Sequence, residues 1–297
     1  MPSYQSLLKP EVLDTVKGLE LVARIVVEGF LVGGNRSQRV GIGQEFSQYR
    51  AYEPGDDLRL LDWKMYGRSE RYYIRQAEVD TNITVKFVLD TSASMDHQQG
   101  KLTKLQYAQV LIASLAYLAQ QQGDQFGLFG VNEQGVMALH PRLDKQHFSR
   151  FLYQLLQLEA TGQWPRQGKP ESQFRRGGEK ELIIFLSDLY DHQEELAQFL
   201  KRLKTARNEV LLFHLVAPNE ETLDYSGVVT LEDMETGKRV QVDAKEARTA
   251  YTQHWEQFVA KHKQTALDLG VDYHRFRMGD PVEQALKDFL HRRKFVL

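Results

Sequence analysis

The stretch ITVKFVLDTSAS, residues 83–94, decides the fold. Ile83 to Leu89 is rich in β-branched and apolar side chains and stops at an acid, Asp90, the pattern of a strand buried on both faces. After the polar loop Asp90-Thr91-Ser92-Ala93-Ser94, the residues Leu105, Ala108, Leu111, Ile112, Leu115, Ala116, Leu118 and Ala119 recur at helical spacing. A second apolar run, Phe126 to Val131, follows, and two strands with a helix between them make a crossover unit.

The alternation continues downstream. A helix is predicted from about Asp144 to Leu158, a strand at Leu182 to Leu186 closed by Ser187-Asp188, a helix near Glu194 to Arg207 and a strand at Val210 to Val216. The expected fold class is therefore α/β, a mostly parallel central sheet with helices on both faces. From Val228 to Val242 the pattern changes to two short strands around Glu235-Thr236-Gly237-Lys238, a hairpin inserted at about 227–243. A long helix from Ala244 to Leu269, a strand from Val271 to Met278 and a helix from Val282 to Arg293 complete the pattern. The long helix carries Ala247, Tyr251, Trp255, Phe258, His262 and Leu269 on one side, where His262 reads as a satisfied, partly buried histidine rather than a ligand.

Upstream, Leu8, Val12, Val16, Leu19, Val22, Ala23, Val26 and Val27 define an N-terminal amphipathic helix. Gly29 to Gly43 reads as a loop, because Gly41-Ile42-Gly43 lacks both the third glycine and the incoming strand of a dinucleotide motif. Between Glu45 and Arg75, charged residues interleave with Phe46, Tyr49, Tyr52, Trp63, Tyr66, Tyr72 and Tyr73, and Pro54-Gly55 marks a turn. This segment is either a surface meander whose Asp and Arg residues pair off or a recognition surface. Residues 1–80 are expected to hold the first helix and this meander packed on a core formed by 81–297. Gly162 to Lys180, dense in Gly, Pro, Gln and Arg, is the expected flexible loop.

Composition narrows the chemistry. Among 297 residues, 38 Lys and Arg balance 40 Asp and Glu for a net charge of -2, so bulk charge draws the chain to neither nucleic acid nor an anionic membrane. Arg166, Lys169, Arg175, Arg176 and Arg292-Arg293-Lys294 would give weak, salt-sensitive nucleic-acid binding at most. No apolar run has the length of a membrane span and no signal peptide is evident, which makes membrane insertion unexpected and the cytoplasm the expected location. The absence of cysteine excludes disulfides, thiol nucleophiles, iron–sulfur clusters and cysteine-bound zinc. Nine histidines are scattered without metal spacing, which leaves oxygen ligation by Ser and Asp.

In an open parallel sheet, ligands bind at the carboxyl ends of strands beside the point where strand order reverses. Two predicted buried strands end in acids there, at Asp90 and at Ser187-Asp188, and they would share one pocket. A D-x-S-x-S loop facing a second carboxylate supplies hard oxygens to Mg²⁺ or Mn²⁺, with a vacant position for a partner's carboxylate. The bland alternative is an aspartate capping the next helix while the serines satisfy loop amides. An enzyme alternative is a metal-dependent phosphoester hydrolase using Asp90 and Asp188, although no histidine or lysine is placed nearby by sequence as a base. Asp96 and His97 read as part of a solvated turn. No G-x-S-x-G, P-loop or H-E-x-x-H motif is present.

Asp90-Thr91-Ser92-Ala93-Ser94 resembles the metal-ion-dependent adhesion site of von Willebrand factor A-like domains. Phe46 to Trp63, FSQYRAYEPGDDLRLLDW, resembles the signature of the bacterial domain-of-unknown-function family fifty-eight, and Leu231 to Asp243 with Tyr251 is similar to that family's hairpin and helix. The resemblance spans nearly the whole chain and implies a Rossmann-like von Willebrand factor A-type sandwich that binds Mg²⁺ or Mn²⁺ and recognises a protein without catalysing a reaction. By position, Ser92 and Ser94 would bind metal directly, Asp90 and Asp188 through water, and Thr161 would supply the middle-loop threonine. At Thr161 the match departs, because Gln163 to Lys180 replaces the family's glycine-rich run and following helix. The implied partner is a MoxR-type AAA+ ATPase, in a chaperone, maturation or stress role.

Overall fold

The computed structural model describes residues 8–33, 46–52, 61–69, 71–77, 83–165, 170–173, 181–190, 193–206, 208–223 and 225–294. Residues 34–43 of the glycine-bearing loop, Pro54-Gly55, the acidic signature residues Asp56 and Asp57, and the cations Arg166, Lys169, Arg175 and Arg176 lie outside that set. In chain order the elements begin with α1 (Pro10–Leu13), α2 (Val16–Gly33), β1 (Phe46–Ala51), α3 (Trp63–Ser69), β2 (Tyr73–Ala77) and β3 (Thr84–Asp90). Next come β4 (Gln98–Gln99), β5 (Leu102–Thr103), α4 (Lys104–Gln122), β6 (Gln125–Asn132), β7 (Gly135–Arg142), α5 (His147–Leu156) and β8 (Glu181–Ser187). The chain continues through α6 (Gln193–Leu203), β9 (Asn208–Val216), α7 (Pro218–Thr222), β10 (Val228–Glu232), β11 (Arg239–Asp243), α8 (Ala244–Asp268), β12 (Asp272–Arg277) and α9 (Val282–Lys294).

Six strands form one sheet in the order β12-β9-β8-β3-β6-β7, parallel except for β7 at one edge. Alternate residues of each inner strand feed two cores, as the two-residue period of a strand requires. Phe87 and Leu89 of β3, Ile184 and Leu186 of β8, and Phe213 of β9 join one cluster with residues of α2, α4, α5 and α9. Val88, Phe185 and Leu212 join the other with Leu196, Phe199 and Leu200 of α6 and Ala266 of α8. The architecture is the α/β sandwich expected from the sequence.

Two compact units are present, residues 1–34 with 83–297, and residues 35–82. One boundary lies at 82/83, two residues from the expected break after residue 80, and the first helix groups with the large unit. The apolar stripe of α2, Leu19, Val22, Ala23 and Val26, is buried in the same core as α4, so the first helix belongs with the large unit. In the small unit β1 and β2 pair antiparallel. Asp62 caps α3 there, accepting from Lys64 N at 2.9 Å and Met65 N at 3.0 Å, and the rings of Tyr66 and Tyr72 stack 4.6 Å apart.

β7 and the short α7 have no counterpart in the sequence reading. The apolar run of β7, Val136 to Leu139, is only four residues long and ends in His140-Pro141, and α7 is too short for a helical period. The hairpin β10–β11 and the helix α8 form as expected, α8 starting at Asp243, whose carboxylate accepts from Lys245 N and Glu246 N. No helix among the described residues is long and apolar enough to cross a membrane.

Candidate metal centre

The strand order reverses between β3 and β8. From β3 the chain crosses to β6 on one side, while β8 leads to β9 on the other. In a doubly wound sheet the loops at the carboxyl ends of two such strands flank the usual ligand position. Asp90 ends β3, and Ser187 ends β8 with Asp188 immediately after it.

Asp90 is wholly buried and organises these loops. Its Oδ1 accepts from Ser92 N at 2.9 Å and its Oδ2 accepts from the Ser187 hydroxyl at 2.7 Å, so one carboxylate holds its own loop and ties it to the neighbouring strand end. Ser187 Oγ in turn accepts from Leu189 N at 3.0 Å. Leu189 adopts φ 62, a left-handed conformation uncommon outside glycine, and its side chain is buried. The 3-10 turn Ala93–Asp96 then sinks Met95 into the core, and Ser92, Ser94 and Asp188 are themselves buried, at 0%, 8% and 1% exposure.

The hydroxyl oxygens of Ser92 and Ser94 are 3.1 Å apart, and Ser94 Oγ donates to Asp188 Oδ1 at 3.2 Å. Adjacent ligands of an octahedral cation bound at roughly 2.0–2.1 Å stand about 3 Å apart, so Ser92, Ser94 and Asp188 offer suitably spaced hard oxygens for Mg²⁺ or Mn²⁺. The residues fit such an ion through hydroxyls rather than through clustered acids. Among the described residues no group of three or more His, Asp or Glu is arranged to hold a metal.

Thr161 is brought to the same loop. Its N–H donates to Thr91 O at 2.9 Å, and Ala93 N donates to Gly162 O at 2.9 Å, so the two loops run side by side. Its hydroxyl accepts from Asn132 Nδ2 at 3.4 Å. An open cleft of about 380 Å³ lies on this flank, lined in part by Thr91, Asn132, Gln157, Glu159 and Thr161. The structure thus gathers Asp90, Ser92, Ser94 and Asp188 into one hydrogen-bonded cluster, with Thr161 on the adjoining loop.

Two residues that the sequence did not single out complete the centre. Lys104, the first residue of α4, is fully buried, its Nζ 2.7 Å from Asp188 Oδ2 and 2.6 Å from Glu220 Oε1. The expectation that no lysine stands near the strand-end acids is therefore corrected. Burial would lower the Lys104 pKa, yet the charges of Asp188 and Glu220 overturn that and hold it above the ordinary lysine value. Burial would likewise raise Asp188, but the ammonium of Lys104, with hydrogen bonds from Lys104, Tyr190 N and Ser94, keeps it below the usual carboxylate range. Glu220 Oε2 accepts from Ala217 N at 3.0 Å, which fixes it at the start of α7.

Behind this pair lies an aromatic wall. The Tyr190 ring centroid is 4.9 Å from Lys104 Nζ, and Tyr190 packs on Trp255 and Phe258 of α8. His214 of β9 is wholly buried among Trp255, Phe258 and Tyr273, with Nδ1 2.6 Å from the Tyr273 hydroxyl. His262 is buried against Phe258, as expected of a histidine on the apolar side of α8. The one sequence signal for Lys104 is its place in the first turn of a helix, where a cation opposes the helix dipole and needs an anion nearby.

A model of the family described as "Protein of unknown function DUF58" matches residues 48–265. Uncharacterized proteins of Mycobacterium bovis and Mycobacterium tuberculosis are each 26% identical over 237 residues, 77% of this chain and 72% of theirs. Among solved structures, the conserved hypothetical protein BatB from Bacteroides thetaiotaomicron is similar over 71% of this chain and 98% of its own, at 17% identity and a TM-score of 0.47. The SpRpn10 VWA domain is similar over 69% of this chain and 94% of its own, at 12% identity and a TM-score of 0.39.

Proposed function

The chain belongs to the DUF58 family, and from that premise we propose that it is a non-enzymatic interaction module that docks a protein partner through a divalent-cation centre at the carboxyl edge of its sheet. The observation that carries this reading is the spacing of the Ser92, Ser94 and Asp188 oxygens at the strand-order switch point. Bound there, Mg²⁺ or Mn²⁺ would supply an electrophilic position for a carboxylate of the partner. Ser92 and Ser94 are the direct oxygen ligands, Asp188 the flanking acid, and Thr161 the donor from the second loop. Asp90 holds the loop in shape through Ser92 N and Ser187 Oγ.

Support for a binding rather than a catalytic role comes from the charge state of the centre. Lys104, the side chain nearest the acids with base chemistry, is held as an ammonium between two carboxylates, which makes it a poor general base. The partner we propose, on the family resemblance, is a MoxR-type AAA+ ATPase met in the cytoplasm, in a chaperone, maturation or stress role.

Calorimetric titration of the full chain with Mg²⁺ and Mn²⁺, beside Ser94→Ala, tests the centre. Saturable heat in the parent that falls at least about tenfold in affinity in the variant is expected, because one of few protein ligands is lost. Equal binding by both proteins, or none by the parent, refutes the reading. Affinity capture with and without a chelator tests the partner, which should be retained only with the cation present. Phosphoester turnover with Mn²⁺ that disappears in Asp188→Ala would instead establish the hydrolase alternative.

A further inference from the structure

Asp188 has two faces. Its Oδ1 meets the hydroxyl of Ser94, and its Oδ2 meets the ammonium of Lys104. A fixed positive charge is thus attached to the same carboxylate that flanks the hydroxyl pair. Its position is built and not incidental. Thr103 caps α4 in a reciprocal box, its Oγ1 accepting from Gln106 N at 3.1 Å and its N–H donating to Gln106 Oε1 at 3.2 Å, which fixes the residue that follows. Lys104 is fully buried, in the first turn of a helix whose dipole disfavours it.

Glu220 gives the ammonium a second anion. Asp188 can therefore turn its charge toward the hydroxyl side without leaving Lys104 unpaired, an event that would otherwise leave a bare charge in the interior. Two carboxylates, Asp188 and Glu220, contact the one ammonium, and Asp90 lies tied to Ser187 at the neighbouring strand end, so the cluster keeps a negative balance while one of its acids is partly neutralised.

We infer that Lys104 sets the strength of the centre: it is a tethered ammonium that competes with a divalent cation for Asp188, so that binding is weak and exchangeable, and Glu220 is the residue that holds it in reserve. This rests on the reading of Ser92, Ser94 and Asp188 as a cation site, and it specifies the residues that regulate that site. It also distinguishes Lys104 from a purely structural ion pair, because removing the ammonium and removing its second anion act in opposite directions on the cation. Loss of the ammonium makes the centre more negative. Loss of Glu220 commits the ammonium to Asp188 alone.

The test is Mn²⁺ titration of the full chain, followed by calorimetry and by the electron paramagnetic resonance signal of free Mn²⁺, for the parent, Lys104→Gln, Glu220→Gln and Lys104→Gln/Ser94→Ala. Lys104→Gln should tighten Mn²⁺ by about tenfold or more, because a positive charge a few ångströms from the bound cation is removed. Glu220→Gln should weaken it by about tenfold for the converse reason. The double variant should lose the gain, which places it at the hydroxyl pair. General damage to the fold weakens binding in both single variants, so the opposite signs are diagnostic.

Unchanged or weaker binding by a Lys104→Gln protein with a parental circular dichroism spectrum overturns the inference. Should Lys104→Gln fail to fold, Glu220→Gln carries the test, and unchanged or tighter binding there overturns it. If the parent and both single variants bind alike while the double variant binds more weakly, the regulation falls while the cation site stands. If the parent is silent and Lys104→Gln binds, the competition is supported and the parent is no metal-dependent module. If no folded protein binds Mn²⁺, both readings fall.

Discussion

His214 gives the large unit a defined sensitivity to acid. Its ring is wholly buried on β9, opposite Ser187 of β8 and enclosed by Trp255, Phe258 and Tyr273. Burial pushes its pKa down from 6.5 to about 3; the charge of Asp188 pulls upward, and His262 and Lys104 add to the downward push. The folded value lies below the unfolded one, so the unfolded chain takes up a proton first as pH falls. The stabilisation is complete above about pH 6.5 and is lost progressively down to about pH 3. Between pH 7 and about pH 4.5 this single group should remove about 2.5 kcal/mol of stability. Asp188, whose pKa is held low against its burial by the Lys104 ammonium, is common to the parent and His214→Gln.

Urea unfolding of the parent and His214→Gln across this range, at fixed ionic strength, reads the effect. Gln keeps an acceptor for the Tyr273 hydroxyl and does not titrate. The two stabilities should converge by about 2.5 kcal/mol as pH falls to about 4.5, since every other histidine is common to both chains. Curves that stay parallel to within about 0.5 kcal/mol would show that His214 takes up its proton in the folded chain as readily as in the unfolded one, and would refute the argument.

Three further substitutions probe the scaffold. Gly127→Ala should destabilise by about 1–3 kcal/mol and raise amide exchange in β7, because a Cβ there would stand 2.7 Å from Leu139 O and from Pro141 N. Thr103→Ala removes the capping box of α4 and should cost about 1 kcal/mol in chemical denaturation, with Gln106→Ala giving a smaller, non-additive loss. Ser187→Ala removes the donor to Asp90 and the acceptor for Leu189 N, a loss of about 1.5–3 kcal/mol expected in the same assay. A Ser187→Ala protein as stable as the parent would mean that Asp90 does not depend on the strand end beside it.

What could be read from the sequence and what could not differ in range along the chain. Phe87, Val88 and Leu89, or Ile184, Phe185 and Leu186, stand in continuous apolar runs, so the buried strands of the sheet were legible. Asp90 and Asp188 were legible for a related reason, since each interrupts or follows an apolar run that marks a strand end. β7 was not, because its apolar run, Val136 to Leu139, is short, runs into a proline and is only half buried on the sheet edge. That α2 groups with the large unit and apart from residues 35–82 is a matter of which core its stripe faces, and an apolar stripe announces a helix without saying that.

The centre's charge balance was illegible because it lies between elements. Lys104 is 84 residues from Asp188 and 116 from Glu220, and none of the three sits in a motif with the others. The doubly wound topology makes the encounter unavoidable. At the carboxyl edge of a parallel sheet, strand ends and helix starts face one another, so the polar residues of both meet at one level. Strand ends contribute Asp90, Ser187 and Asp188, and helix starts contribute Lys104 and Glu220. Glu220 suits the positive end of α7, whereas Lys104 opposes that of α4. A residue placed against its own helix, with an anion on each side, is explained by the strand-end acids it faces and by little in its own neighbourhood. A buried first-turn lysine following a capping threonine, in a fold whose strand ends carry D-x-S-x-S and S-D, is therefore a sign that those acids have a counter-charge within the chain.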